Sequence, residues 1–413
     1  MSKLQELINK LCPNGVEFKP LGDVFEMRNG YTPSKNNPDF WEGGTIPWFR
    51  MDDIRENGRI LSDSIQHITP SAIKGKGLFE ANSFILATTA TIGEHALIIA
   101  DSLANQQFTN LKVRKSLSNL LVTKFIYYYM FIVDDFCKRN TNVSGFASVD
   151  MDKLKKMPFP VPPIEVQEEI VRILDSFSDY AAELQAELQA RKQQYEYYRN
   201  LLLTFNPSAY GCGTDDEQKD GVTTWGGHNY KIQWKKLGEI CDNMDKLRKP
   251  VTASTRISGI YPYYGASGVV DYVNNYIFDG SYLLISEDGA NLLARSTPIA
   301  FSIYGKTWVN NHAHVLHFNS DVTRKFVEYF INNLDISKYV SGGAQPKLNQ
   351  KKLNSILIPI PPLELQEKIV AILDRFETLV NDLTNGLPAE IAAVKDQYEY
   401  YRNKLLTFKK LSA

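Results

Sequence analysis

The twelve residues Gln194 to Phe205, QYEYYRNLLLTF, return at the other end of the chain as QYEYYRNKLLTF, Gln397 to Phe408, with eleven of twelve positions identical. Upstream stands a second pair of blocks, PPIEVQEEIVRILDSF from Pro162 and PPLELQEKIVAILDRF from Pro361, offset by 199 (361 − 162 = 199). Solenoid units recur every 20 to 50 residues, roughly. A period this long copies half a molecule, so any fold open to this chain contains the same unit twice.

Apolar spacing identifies the unit. Ile170, Leu174, Phe177, Ala181, Leu184, Leu188, Arg191, Tyr195, Tyr198, Leu202 and Phe205 step alternately by four and three, the heptad seam of a helix packed along another helix. Pro162 and Pro163 lack the amide donors that a helix interior needs and so suit its entry. The pattern predicts one helix of about 40 residues, roughly 60 Å long. The second copy keeps the seam at Ile369, Leu373, Phe376, Val380, Leu383 and Leu387, then resumes at Val394, Tyr398, Tyr401, Leu405 and Phe408. Its offset has grown to 203 (397 − 194 = 203), so four residues have entered. That is a stutter, which unwinds a coiled coil locally and leaves the seam on the same face. Asn385-Gly386-Leu387-Pro388 predicts a kink or break near 385–388. An ordinary core helix would also bury such residues, but a seam this narrow suits a partner helix, and the natural partner is the other copy.

At 413 residues and 43% hydrophobic, the chain can bury more than one core. No apolar run reaches membrane length, and Met1 to Lys10 reads as a short amphipathic helix instead of a cleavable signal, so a cytoplasmic location is expected. Cys12, Cys137, Cys212 and Cys241 form no CxxC pair, which fits a reducing compartment and argues against a zinc cage. A formal charge of −1 excludes a general polyanion binder; a nucleic-acid site must be a local patch.

Val16 to Asp23 reads as a strand entering a short helix, and Ile232 to Glu239 repeats it. The expected organisation is a first globular domain over 1–160, a helix over 161–205, a Gly-, Asp- and Thr-rich linker over 206–229, a second globular domain over 230–360 and a closing helix over 361–413. Both globular stretches mix short β-like runs with turns and end in a helix, at Thr123 to Lys138 and at Val322 to Leu334, so the class is α/β (α+β). Outside these edges the two halves barely agree. Copied frames with divergent inserts imply one mechanical job and two different surfaces.

Two divergent domains, each ending in a PxPPxxxQxxIVxILDxF block and a long helix with QYEYYRxxLLTF, resemble the specificity subunits of type I restriction-modification enzymes, and the resemblance spans essentially the whole chain. The stretches Asn29 to Trp41, Gly44 to Ile54, Tyr261 to Val273 and Glu287 to Arg295 look like segments of such domains. The resemblance implies two target recognition domains, each reading half of a split DNA sequence, separated by two long antiparallel coiled-coil helices in an internal pseudo-twofold repeat. It also implies partners: two methylation subunits using S-adenosylmethionine, and two translocase-nuclease subunits using ATP and Mg. The rigid helices are expected to set the half-site spacing.

Base edges are read by Arg, Lys, Asn and Gln, and phosphates by Ser, Thr, Lys and Tyr. In the first domain the candidates for DNA contact are Tyr31, Thr32, Ser34, Lys35, Arg50, Asp52, Lys74, Lys76, Thr89, Thr91, Gln106 and Gln107. In the second they are Lys246, Arg248, Lys249, Tyr263, Tyr264, Ser267, Glu287, Asn291, Arg295, Asn311 and His312. For any one of them a solvated surface position is an equal reading. Lys153, Lys155 and Lys156, echoed by Lys347, Lys351 and Lys352, precede the proline hinges as phosphate clamps or as solvated helix faces.

Catalytic motifs fall short. Asn37-Pro38-Asp39-Phe40 has Asp where a methyltransferase tetrapeptide needs its second Pro. Gly305-Lys306-Thr307 has Ala300 where a phosphate loop needs glycine. His312, His314 and His317 alternate as strand residues with no neighbouring Cys or acid in the sequence. The expectation is a chain that catalyses nothing and holds no metal or cofactor of its own. The alternatives are a coiled-coil adaptor whose globular domains bind proteins, and a silent recombination copy of a specificity subunit.

Overall fold

Each half carries short strands into a helical segment because the frame recurs in the sequence: one 40-residue helix, Ile164–Leu203, closes the first, and two 19-residue helices, Leu363–Asn381 and Leu387–Leu405, close the second. The computed structural model describes residues 3–142, 147–205, 221–225, 227–342 and 345–411. The expected linker lies mostly outside the described residues, Tyr210, Gly211, Cys212 and Gly213 included. The chain divides into two units, Met1–Leu184 with Ile391–Ala413, and Gln185–Glu390. The first unit is thus assembled from both chain ends.

In the first unit, a five-stranded sheet runs in the order Phe25–Asn29, Phe108–Val113, Ser83–Ala87, His95–Ile98, Ile60–Leu61. Its neighbours are antiparallel except the last pair. A smaller sheet, His67–Ile68, Ile46–Phe49, Leu103–Ala104, completes it. The second unit orders Asp242–Asn243, Ala313–His317, Phe278–Ser286 and Ala300–Val309 in the same way, then adds the hairpin Ser258–Gly265 and Gly268–Val273. The runs at 83–87 and 278–286 carry consecutive buried residues, as strands covered on both faces do.

The frame is repeated bond for bond. Glu17–Pro20 pairs antiparallel with Pro158–Val161, and Gln233 to Lys236 with Leu357–Ile360. Gln167 donates from its amide to the Pro162 carbonyl at 2.7 Å, and Gln366 to the Pro361 carbonyl at 2.7 Å. Both glutamines are buried, so the Q of the repeated motif ties the helix entry back onto its own hinge. Tyr128, on the helix Thr123–Arg139, donates to Asp175 at 2.6 Å; Tyr329, on Asp321–Asn333, donates to Asp374 at 2.6 Å.

The helix Ile164–Leu203 gives its first half to one unit and its second half to the other. In the first, Phe177 stacks on Tyr401 with ring centroids 5.5 Å apart; in the second, Tyr198 stacks on Phe376 at 5.7 Å. Early residues of one copy meet late residues of the other in both units, which is the pairing order of antiparallel helices. Ile170 and Leu174 are fully buried, as are their counterparts Ile369 and Leu373. Where the four residues entered, Leu363–Asn381 ends and Leu387–Leu405 begins. Asp382 accepts from the amides of Thr384 and Asn385 in the turn between them. A Cβ on Gly386 would sit 2.4 Å from the Thr378 carbonyl oxygen, so the turn admits only glycine there.

Candidate nucleic-acid interface

Gly30 decides where the reading loops of the first unit begin. A Cβ there would lie 2.3 Å from the carbonyl oxygens of Ala104 and Asn105, so the loop after the edge strand can press against 104–107 only without a side chain. The next residue profits: the Tyr31 amide bonds the Ala104 carbonyl at 2.9 Å, and the Tyr31 hydroxyl donates to Ala72 and accepts from the Lys74 amide. Trp48 donates its indole N–H to the Tyr31 carbonyl, and Trp41 packs edge-on against Trp48 at 5.0 Å. Lys74 Nζ stands 5.8 Å above the Tyr31 ring. Thr32 donates to Gln106 Oε1, and Gln107 is held by its amide on Asn105 Oδ1. Thr89 follows Thr88, whose amide bonds the Gln107 carbonyl at 2.9 Å.

Tyr31, Thr32, Lys74, Thr89, Gln106 and Gln107 therefore come together at one end of the sheet, on loops tied by one tyrosine. Arg50 lies beside them, its guanidinium 6.0 Å from the Trp48 ring and only 4.0 Å from Asp52. Ser34, Lys35 and Asp52 are exposed on the flanks, and Thr91 is half-buried beyond the strand end. Lys76 lines a separate cleft with Arg28, Lys112 and Arg114. Sequence reasoning missed Asp53, fully buried, whose carboxylate accepts from the Arg50 and Ile65 amides and fixes the Arg50 turn. Its signal was a second acid beside Asp52, indistinguishable until one is placed inside.

In the second unit the structure corrects several candidates. Tyr263 is 1% exposed, with its hydroxyl bonded to the Val251 backbone, so it cannot meet a ligand. Arg248 points inward, donating to Glu287 and to the Ala313 carbonyl at 2.7 Å each, with Asp245 at 3.3 Å. Glu287 is spent on Arg248 and on Lys347 at 3.2 Å. Arg295 lies in the left-handed region at φ 52° and caps the carbonyl end of Asp321–Asn333 at Ile331 and Leu334. Asn291 holds its own turn through Thr297 and Ser296. These five side chains are structural because their polar groups already have partners.

What remains outward is Lys246, Lys249, Ser267, Asn311 and His312, with half-buried Tyr264 between. His312 is oriented by Asp288 at 2.9 Å, and Asn310 bonds the Tyr264 carbonyl. Asp245, Glu287 and His314 bring ligand-type atoms within 4.8 Å of one another. The Arg248 guanidinium already bridges the two carboxylates, and His314 faces Asp245 at 2.6 Å and the Leu348 carbonyl at 2.7 Å. The cluster is an ion-pair network with its cation in place. Burial is the largest single influence and acts to raise both acids, but the bonds and charges of His314, Val315 and Arg248 around Asp245, and of Arg248, His314 and Lys347 around Glu287, together outweigh it and hold both below the ordinary carboxylate range.

A duplicated helical frame presenting two unlike, loop-rich sheet surfaces defines a recognition scaffold with two readers. The sequence profile of the type I restriction modification DNA specificity domain matches residues 13–191 and 230–393, and the chain belongs to that family. It is 40% identical over 406 residues to the type I restriction enzyme EcoprrI specificity subunit of Escherichia coli, covering 96% of this chain and 94% of that one. The EcoR124I/EcoR124II specificity subunit of Escherichia coli is 29% identical, with 99% and 98% covered. Among solved structures, the HsdS subunit from Thermoanaerobacter tengcongensis shares the fold with a TM-score of 0.55 at 17% identity, over 96% of this chain and 97% of that one. A chain of a type I R-M system, described for its complex assembly and conformational transition, aligns with a TM-score of 0.59 at 17% identity, over 95% and 98%. No described helix is long and apolar enough to cross a membrane.

Proposed function

We propose that each globular domain reads one half of a split, asymmetric DNA sequence, and that the paired helices fix the gap and carry the methylation subunits. One observation supports this above the rest: both halves match the DNA specificity domain, while their frames repeat and their inserts differ. Amide side chains such as Gln106 and Gln107, held on tied loops beside aromatic rings, suit base edges. The chain itself catalyses nothing on this reading. S-adenosylmethionine belongs to the methylation subunits, ATP and Mg to the translocase-nuclease subunits, and the complex of two of each works in the cytoplasm.

Selection from a randomised duplex pool with the methylation subunits present is the test. Enrichment of two short motifs at a fixed gap is expected, and absence of enrichment sinks the reading. Exchanging residues 237–360 for those of a relative changes one motif only. Four residues added at Leu188 shift the tolerated gap, at about 3.4 Å of DNA per base pair.

A further inference from the structure

We infer that the first unit grips a DNA backbone phosphate away from its reading loops, in a basic cleft at the edge of its five-stranded sheet. The inference rests on the DNA-reading function proposed above. The cleft, about 460 Å³, is lined by Arg28, Lys76, Lys112, Arg114, Glu26 and Glu80. Arg28 faces Asn110 and Glu26 faces Lys112 across the first two strands, and alternation puts all four on one side of the sheet.

The charges do not cancel. Glu80 bonds Lys112 Nζ at 2.5 Å, so those two neutralise each other. Arg28 donates to the Lys76 carbonyl at 2.7 Å and lies over the Phe79 ring at 4.5 Å. Arg114 donates to the Gly22 carbonyl at 3.0 Å. Among the described residues, ion pairs to carboxylates within 4.0 Å include none from Arg28, Lys76 or Arg114. Three cations thus face one unspent acid, Glu26. Bonds to carbonyls fix a guanidinium's direction while leaving its charge and most of its five N–H groups available, and a phosphate matches that fork.

Placement favours a polymer's phosphate over a free anion. Lys76 shares its loop with Lys74, which stands over Tyr31 among the reading loops. At the other end, Gly22 lies against the side chain of Lys155, one of the hinge lysines. The cleft therefore lies between the loop that carries Lys74 and the helix Met151–Lys156 that carries Lys155. In the second unit, Leu237 opens the same short helix as Leu21, so Glu26 and Arg28 correspond to Asp242 and Met244, five and seven residues on. Asp242 faces His317 there, and Met244 packs onto apolar core. The grip belongs to the first unit alone.

The full chain assembled with its methylation subunits is titrated against target and scrambled duplexes over a range of salt. The double variant Lys76→Gln, Arg114→Gln is expected to flatten the salt slope by about 0.9, the share of one phosphate contact, with the preference for target over scrambled unchanged. Arg114→Lys alone keeps the slope, and unchanged thermal melting shows that the variants are folded. An unchanged slope in the folded double variant overturns the inference, as does a lost preference, which would make these residues base readers. Saturable binding of pyrophosphate at constant ionic strength, with the DNA slope unmoved by the double variant, would assign the cleft to a small anion instead. If the unaltered complex bound DNA without any sequence preference, the half-site reading would fall while the slope still judged the cleft.

Discussion

In the first unit Tyr128 reaches Asp175 and Gln167 folds back on Pro162; in the second Tyr329 reaches Asp374 and Gln366 folds back on Pro361. Beyond those contacts the units part. One extends its sheet with a two-residue parallel strand and ties its loops through Tyr31; the other extends it with a hairpin and stiffens its loops with ions around Arg248. The bonds that the two copies share join the sheet, the hinge and the seam, where both must do the same mechanical work. The inserts between those bonds differ, and sameness there would make the two readers redundant.

Matched substitutions test how far the two frames are equivalent. Leu174→Ala and Leu373→Ala, both at fully buried seam positions, should each cost about 2–5 kcal/mol by chemical denaturation. A twofold difference between them would show that the copies bear unequal loads. Gln167→Ala and Gln366→Ala should each cost about 1–3 kcal/mol. The first should be worse, since Gln167 Oε1 also accepts from the Val122 amide and Gln366 Oε1 has no hydrogen-bond partner among the described residues. Equal costs would mean the extra bond contributes nothing.

Acid separates the units more gently. Burial holds the His95 imidazole below its ordinary value of 6.5, with Asp134 only partly offsetting it. A depressed histidine favours folding above that value and loses the benefit as pH falls below it, by at most about 1.4 kcal/mol per pH unit. Glu169, bonded by Arg172, is held at about 2 and acts only below 4.5. In the second unit the depressed acids Asp245 and Glu287 likewise matter only below about pH 4 to 4.5. Between pH 7.5 and 5, protection from hydrogen exchange, taken against the intrinsic rate at each pH, should therefore fall in peptides covering 83–98 before those covering 278–317, and the reverse order would refute the assignment. The smallest effect belongs to Tyr197→Ser and Tyr400→Ser, at matching positions 63% and 60% exposed: each should change stability by less than about 0.5 kcal/mol. A larger loss in one would reveal a support that its twin lacks.

The seam, the hinges and a break close to 385–388 were legible because local periodicity and a second copy spoke for them. The reading surface was legible only in part. Tyr263 and Arg248 look like contact residues in a polar, aromatic stretch, yet one faces a core and the other an acid three residues before it. Arg28, Lys76 and Arg114 come from segments far apart in the chain, and no pattern joins them before the sheet does. The same limit hid the unit boundary: sequence order placed 361–413 in a segment of its own, whereas its later part completes the first unit.

That completion bears on how the molecule is made. Val16 donates its amide to the Lys409 carbonyl and accepts from the Leu411 amide, so the beginning of the chain waits for its last residues. Residues 185–390, by contrast, are contiguous. At about 5 to 20 residues per second, a ribosome delivers the later reader whole while the earlier one still lacks its final helix. The half synthesised first is the half that finishes last, and a chain cut short before Leu387 would lack the helix that completes the earlier reader.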